Sequence, residues 1–153
     1  MREWSVKQVG YLTVEKLNKQ ATLPEKAHSG DLGYDLFSSE VRVIQPGDRV
    51  LVGTGIRVKF PVGYGGQYFD RSGNAYKKGM VVLAGTIDNG YRGELKVLIY
   101  NANKDTLVHI SVGDKIAQMV PIEVMDFVVQ EGVVDEETVR GANGFGSTDA
   151  PKS

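Results

Sequence analysis

Five short stretches of this chain carry side chains able to do chemistry. In SGDLGYDLFSS (29–39), Asp31 and Asp35 flank Gly33-Tyr34. Carboxylates so placed hold Mg2+, directly or through its waters, or simply make an acidic turn. Arg71-Ser72-Gly73 offers a guanidinium, a hydroxyl and unhindered backbone N–H groups, a set suited to phosphate oxygens. The plainer reading is a helix start, with Ser72 as cap and Arg71 in solvent. Asp88 ends an apolar run in AGTIDNGYRGELK (84–96). There a carboxylate either forms a turn or acts as a general base aimed by rigid strands. Tyr91, read alone, is a half-buried strand aromatic. Gln118 is the one polar residue within Ile116–Val120. By alternation it shares a face with Ile116 and Val120, where it needs a partner from protein or ligand. Finally, Gly141 to Thr148 nearly matches the phosphate loop G-x-x-x-x-G-K-[ST], with Ser147 in place of the lysine. Such a loop also needs a following helix, so the P-loop reading fails. The glycines, with Arg140, Ser147 and Thr148, can still wrap a phosphate chain; composition alone makes the segment a loose chain end.

The elements that must position these residues read as strands. Val- and Ile-rich runs at 41–69, 80–88, 94–101, 106–112, 115–122 and 124–129 are separated by Gly, Pro, Asn and Asp. That spacing predicts an all-β sandwich or barrel. Asp88-Asn89-Gly90 reads as a hairpin turn between two strands. Helix is scarce: 71–79 holds one or two turns stopped by Gly79, and 12–20 fits strand slightly better than helix. The strand pattern stops near residue 130. The 153 residues suit one domain, and 19 glycines imply many tight turns.

Composition excludes several classes. A net charge of −1 leaves no basic field for nucleic acid or an anionic membrane surface. With no cysteine and two histidines, thiol catalysis, disulfides and multi-histidine metal sites drop out. No secretory signal and no run of about 20 apolar residues are visible, which predicts a cytoplasmic protein, or one of the host cytoplasm or nucleus if viral.

Taken in order, GYDL, RSG, GTIDNGYRGE, GDKIAQ and RGANGFGST resemble the five motifs of the trimeric dUTPases, over about residues 29–149. The resemblance implies an all-β, jelly-roll-like subunit of eight strands with a flexible C-terminal arm. Residues 1–130 would form the β domain and 131–153 the arm that closes over the active site. It implies a homotrimer with active sites between subunits. The activity implied is hydrolysis of dUTP to dUMP and pyrophosphate with Mg2+, limiting uracil in DNA and supplying dUMP for dTMP synthesis. Asp88 matches the aspartate that activates the attacking water. Thr86, Ile87 and the strand near Lys96 match the uracil-receiving hairpin, and Tyr91 the tyrosine under the deoxyribose. Asp35 matches the aspartate holding the metal through water. Arg71, Ser72, Gly73 and Gln118 match phosphate contacts. Arg140, Phe145, Gly146, Ser147 and Thr148 match the arm, with Phe145 stacking on uracil. Uracil presents an N3–H donor and an O4 acceptor, the reverse of cytosine, so a backbone that pairs with one leaves the other unpaired.

Three positions depart from the family pattern. Asp70 precedes Arg71 where a neutral residue is usual; an acid there would repel substrate or orient Arg71. Asn74 replaces a leucine, which concerns packing. Val81-Val82-Leu83 stand where the family often has an asparagine. Two rivals share the fold, a dCTP deaminase and a non-catalytic regulatory module. The first needs a glutamate on the strand after the aspartate motif, and Glu94 lies too near the turn. The second would be expected to have lost Asp88 or the arm.

Overall fold

The computed structural model describes residues 7–135 with 138, 139, 141 and 142. Eleven strands and one helix form among them: β1 (Thr13–Lys16), β2 (Tyr34–Phe37), β3 (Arg42–Ile44), β4 (Arg49–Gly53), β5 (Ile56–Lys59), β6 (Tyr64–Phe69), α1 (Ser72–Lys78), β7 (Met80–Leu83), β8 (Thr86–Ile87), β9 (Lys96–Asn101), β10 (Val108–Ile110) and β11 (Lys115–Glu123). All pairings are antiparallel, in sheets ordered β2-β11-β6-β8, β4-β9-β7, β1-β5 and β10-β3. The architecture is all-β, as the segment spacing predicts, and jelly-roll-like, as the family resemblance implies. The strand count exceeds eight partly because the run 80–88 splits at Ala84-Gly85, where Ala84 adopts φ 51°.

Alternation decides which side chains enter the core. In β5, Ile56 and Val58 are buried while Arg57 and Lys59 face solvent; in β9, Val97, Ile99 and Asn101 are buried. Each such aliphatic side chain contributes about 1.5–3 kcal/mol by leaving water. Asn101 is admitted because its amide donates to the carbonyls of Ile44 and Thr106. Among the described residues no buried side-chain polar atom lacks a partner.

Three local expectations are corrected. Asp88-Asn89-Gly90 does not join a hairpin: β8 pairs with β6, whereas β9 pairs with β4 and β7. None of the three residues has positive φ, and a Tyr91 N–H to Asp88 carbonyl bond of 3.1 Å closes an ordinary β-turn. In β11 the register shifts between Lys115 and Ala117, and Ile116 and Ala117 are both buried, as are Met119 and Val120, so burial does not follow the expected strict alternation. Ser72 does not cap α1. Arg71 occupies the cap position without a side-chain bond, and Ser72 is the first helical residue. Gly79 ends the helix as expected, in the left-handed conformation at φ 63°.

Candidate active site

The described site residues fall into two cavities. The first, of about 330 Å3, is lined by Asp35, Arg71, Ser72, Gly73 and Gln118, with Asp31 at its edge. The second, of about 280 Å3, is lined by Thr86, Ile87, Asp88, Tyr91 and Lys96, with Tyr68, Ala84 and Glu94. No residue lines both. Side chains of directly paired residues project from the same sheet face. Gln118 pairs with Asp35 and with Phe69, and these project from one face; Met119 pairs with Tyr68, and these project from the other. Ile87 pairs with Gly66, two residues before Tyr68, and so joins the Tyr68 face, whereas Thr86 pairs with Gln67 and joins the Gln118 face, so register alone does not separate the two cavities.

The first cavity is a charged network. Asp35 is 7% exposed, yet it is a charged acceptor with two cationic partners. Its Oδ1 accepts from Arg71 Nε at 2.9 Å, and its Oδ2 lies 2.7 Å from Lys115 Nζ. Lys115 also reaches Glu25 at 3.5 Å. The hydrogen bond to Asp35, with the charges of Asp35 and Glu25, pushes the Lys115 ammonium above its ordinary value, against the opposing effect of desolvation. Lys115 was missed as a site residue; its signal is the cation inside GDKIAQ. Asp31 is a turn former, its carboxylate accepting the His28 N–H at 2.8 Å.

Gln118 finds its partner in protein: Nε2 donates to the Asp70 carbonyl at 2.7 Å. Gly33 permits this arrangement, since a Cβ there would sit 2.9 Å from Gln118 Cβ. The Asp70 side chain is engaged by the backbone of a neighbouring strand. Its Oδ1 accepts the Val82 N–H at 2.5 Å, tying the end of β6 to β7. Val82 packs against the core. Asn74 does more than pack: it is buried and donates to the Lys115 carbonyl at 2.8 Å, fastening α1 to the start of β11.

In the second cavity Asp88 is exposed at the tip of the turn. The Tyr91 hydroxyl donates to the Glu94 carbonyl at 3.0 Å, which holds the ring over the turn. Burial, and secondarily the charge of Tyr91, pushes the Tyr68 phenol well above its ordinary value. Glu94 does line this cavity, although its place beside the turn had counted against it. Its carboxylate is committed to the Gly55 N–H at 2.9 Å and to Lys96 at 3.6 Å. Ala84 was also missed, because only backbone geometry marks it. Arg140, Phe145, Gly146, Ser147 and Thr148 lie outside the described residues.

The residues do not build a cation cage by themselves. Among the described residues there is no cluster of three or more metal-ligating side chains, and both Asp35 oxygens face cations. A magnesium ion carried by phosphate oxygens and water, reached by Asp35 through that water, fits this chemistry; direct ligation by Asp35 does not.

A dUTPase family model matches residues 19–149. Over 141 residues the chain is 43% identical to the deoxyuridine 5'-triphosphate nucleotidohydrolase of Corynebacterium diphtheriae, covering 90% of this chain and 91% of that one. The enzyme of the same name from Hydrogenobaculum sp. is 49% identical over 140 residues, 90% of this chain and 96% of the other. A solved Staphylococcus bacteriophage 80alpha dUTPase mutant with dUpNHpp superposes with a TM-score of 0.82 at 30% identity, covering 90% and 98% of the two chains. A phage phi11 dUTPase mutant, described for its coordination of a structural Mg(II) ion, gives 0.75 at 28% identity over 86% and 99%. With residues of the first four motifs lining two cavities on a jelly-roll-like scaffold, and with relatives matched over nine-tenths of its length, this chain belongs to the dUTPase family.

Proposed function

We infer that the chain hydrolyses dUTP to dUMP and pyrophosphate, with Asp88 as the base. The observation that carries this is the sorting of the site residues: the phosphate-binding set lines one cavity and the base, sugar and water-activating set lines the other. Asp88 takes a proton from water as the water oxygen bonds to phosphorus. The bond to the oxygen bridging the α and β phosphates breaks, and its electron pair leaves with pyrophosphate. Such transfer depends mostly on positioning and electrostatics. Arg71, Ser72 and Gly73 receive the phosphates, with Gln118 bracing the Asp70–Arg71 segment. Thr86, Ile87 and the Lys96 segment receive uracil, and Tyr91 lies under the deoxyribose. Asp35 would hold Mg2+ through water, and the ion would neutralise charge on the phosphates.

The working form in this reading is a homotrimer. Its support is that no residue lines both cavities, so a nucleotide that uses both would draw them from different copies. Exposed Met125, Phe127, Val128 and Val129 supply apolar surface for association. Residues 131–153 act as the arm, with Arg140, Ser147 and Thr148 on the phosphates and Phe145 and Gly146 over the base. Among the described residues no helix is long and apolar enough to cross a membrane, and the proposed compartment is the cytoplasm.

The test is pyrophosphate release from dUTP beside dCTP, dTTP and UTP, with and without Mg2+. Release from dUTP alone, enhanced by Mg2+, is expected. Ammonia release from dCTP would replace this reading with the deaminase.

A further inference from the structure

Asp88 has no side-chain partner of its own among the described residues. It stands just past the last ladder pair, Gly66 with Ile87, so only the turn backbone fixes its position. We propose that Asn89 is the positioning residue that sets where the Asp88 carboxylate stands, by tying the 88–91 turn to the loop between β5 and β6. This rests on the reading of Asp88 as the base.

Asn89 uses both amide protons on backbone carbonyls: Nδ2 donates to Pro61 at 2.8 Å and to Tyr64 at 2.6 Å. Those two carbonyls belong to the ends of one turn, closed by the Tyr64 N–H to Pro61 carbonyl bond of 3.2 Å. The anchor is therefore itself fixed. The two backbones meet closely here, since a Cβ on Gly65 would lie 2.8 Å from the Ile87 carbonyl oxygen. From its other side the turn is held by Arg92, whose Nη1 donates to the carbonyls of Asn89 at 2.6 Å and Tyr91 at 2.8 Å. Asn89 is thus the first cross-link beyond the ladder, one residue from the reacting carboxylate.

Removing the amide frees the turn but leaves β8 paired to β6. The uracil-receiving residues stay in place while the carboxylate shifts. A misplacement of about 1 Å costs on the order of 10²-fold in rate. Binding and turnover should therefore separate.

The experiment compares the full chain with Asn89→Ala, Asn89→Ser and Asp88→Asn, measuring kcat and KM for dUTP, affinity for dUpNHpp, and melting. Asn89→Ala should lower kcat by roughly 10- to 100-fold, with KM and dUpNHpp affinity within about threefold of the parent. Asn89→Ser, which keeps one donor, should recover part of the loss, and it carries the test if the alanine variant does not fold. A folded Asn89 variant with parental kcat overturns the proposal. So does a parallel fall in kcat and dUpNHpp affinity, which would mean the whole cavity has loosened. Full turnover by Asp88→Asn would instead remove the base reading, whatever Asn89 does.

Discussion

Asp70 separates two physical accounts of one charge. An acid next to the phosphate-binding arginine suggests repulsion of a triphosphate, yet its carboxylate is spent on the Val82 N–H and its carbonyl on Gln118. Val82 lies in β7, at the edge of the β4-β9-β7 sheet, so the contact fastens the end of β6 to that edge. Hydrogen bonds to charged groups contribute about 1.5–3 kcal/mol, and partial exposure of Asp70 places this one near 1–2 kcal/mol. Asp70→Ala should then lower the melting temperature by roughly 2–8 °C, since each kcal/mol shifts a chain of this size by about 2–4 °C. Asp70→Asn keeps a carbonyl acceptor and should lose about half as much. Neither variant should bind dUTP better. KM is expected within about twofold for Asp70→Asn and higher for Asp70→Ala, because Arg71 follows directly on the loosened residue. Thermal melts and initial rates at low and high salt decide the matter. If both variants lower KM severalfold at low salt and the gain fades at high salt, the charge acts on substrate and the bracing account is wrong.

The other perturbations are simpler. Tyr68 ionises in the unfolded chain near pH 10.0 but only at higher pH when folded, so its contribution to stability is present below pH 10 and is lost as pH rises through the raised value. Tyr68→Phe should flatten the fall in stability seen in denaturant titrations between pH 9 and 11, leaving a smaller slope of the same sign from Lys115. Gly33→Ala forces a carbon within 2.9 Å of Gln118 Cβ, against an optimum of about 3.5–4.0 Å, and rotamer changes do not move a Cβ. It should cost about 1–3 kcal/mol and lower kcat/KM, while Gly132→Ala, with open space around it, should do neither. Deleting residues 140–153 should leave the association state by sedimentation unchanged and reduce kcat/KM for dUTP.

What the sequence revealed and what it hid follow from the range of the forces involved. Period-2 burial in β5 and β9 is local, so Ile56, Val58, Val97 and Ile99 could be placed from pattern alone. The candidate site residues could be named because turns and motif order confine them to short stretches. The partner of each side chain was not legible, since it lies far along the chain. Gln118 meets Asp70 across 48 residues, Arg71 meets Asp35 across 36, and Asn89 meets Tyr64 across 25. The false hairpin arose the same way: Asn-Gly composition suggests a tight reversal, but β8 finds β6 as its partner, and the turn takes no positive φ. Ala84 gives no compositional signal, because alanine rarely adopts its φ of 51° and only the packing of β7 and β8 into different sheets requires it.

The proposed inter-subunit site is testable without a second structure. If the site lay within one chain, a copy defective in Arg71 and a copy defective in Asp88 would stay inactive however they were mixed. In a closed ring of identical interfaces, each site takes its first cavity from one copy and its second from the neighbour. Arg71→Ala and Asp88→Asn copies, co-expressed in equal amounts under different tags and isolated as mixed oligomers, then assemble at random. A site is intact when the first cavity comes from an Asp88→Asn copy and the second from an Arg71→Ala copy. Every mixed trimer in such a ring has one junction of that order among its three, so about a third of parental turnover should return. The two parents measured separately and mixed without exchange supply the baseline. Turnover of the mixed oligomers at that baseline would mean that one chain brings both of its cavities to the same nucleotide, and the inter-subunit reading would fall.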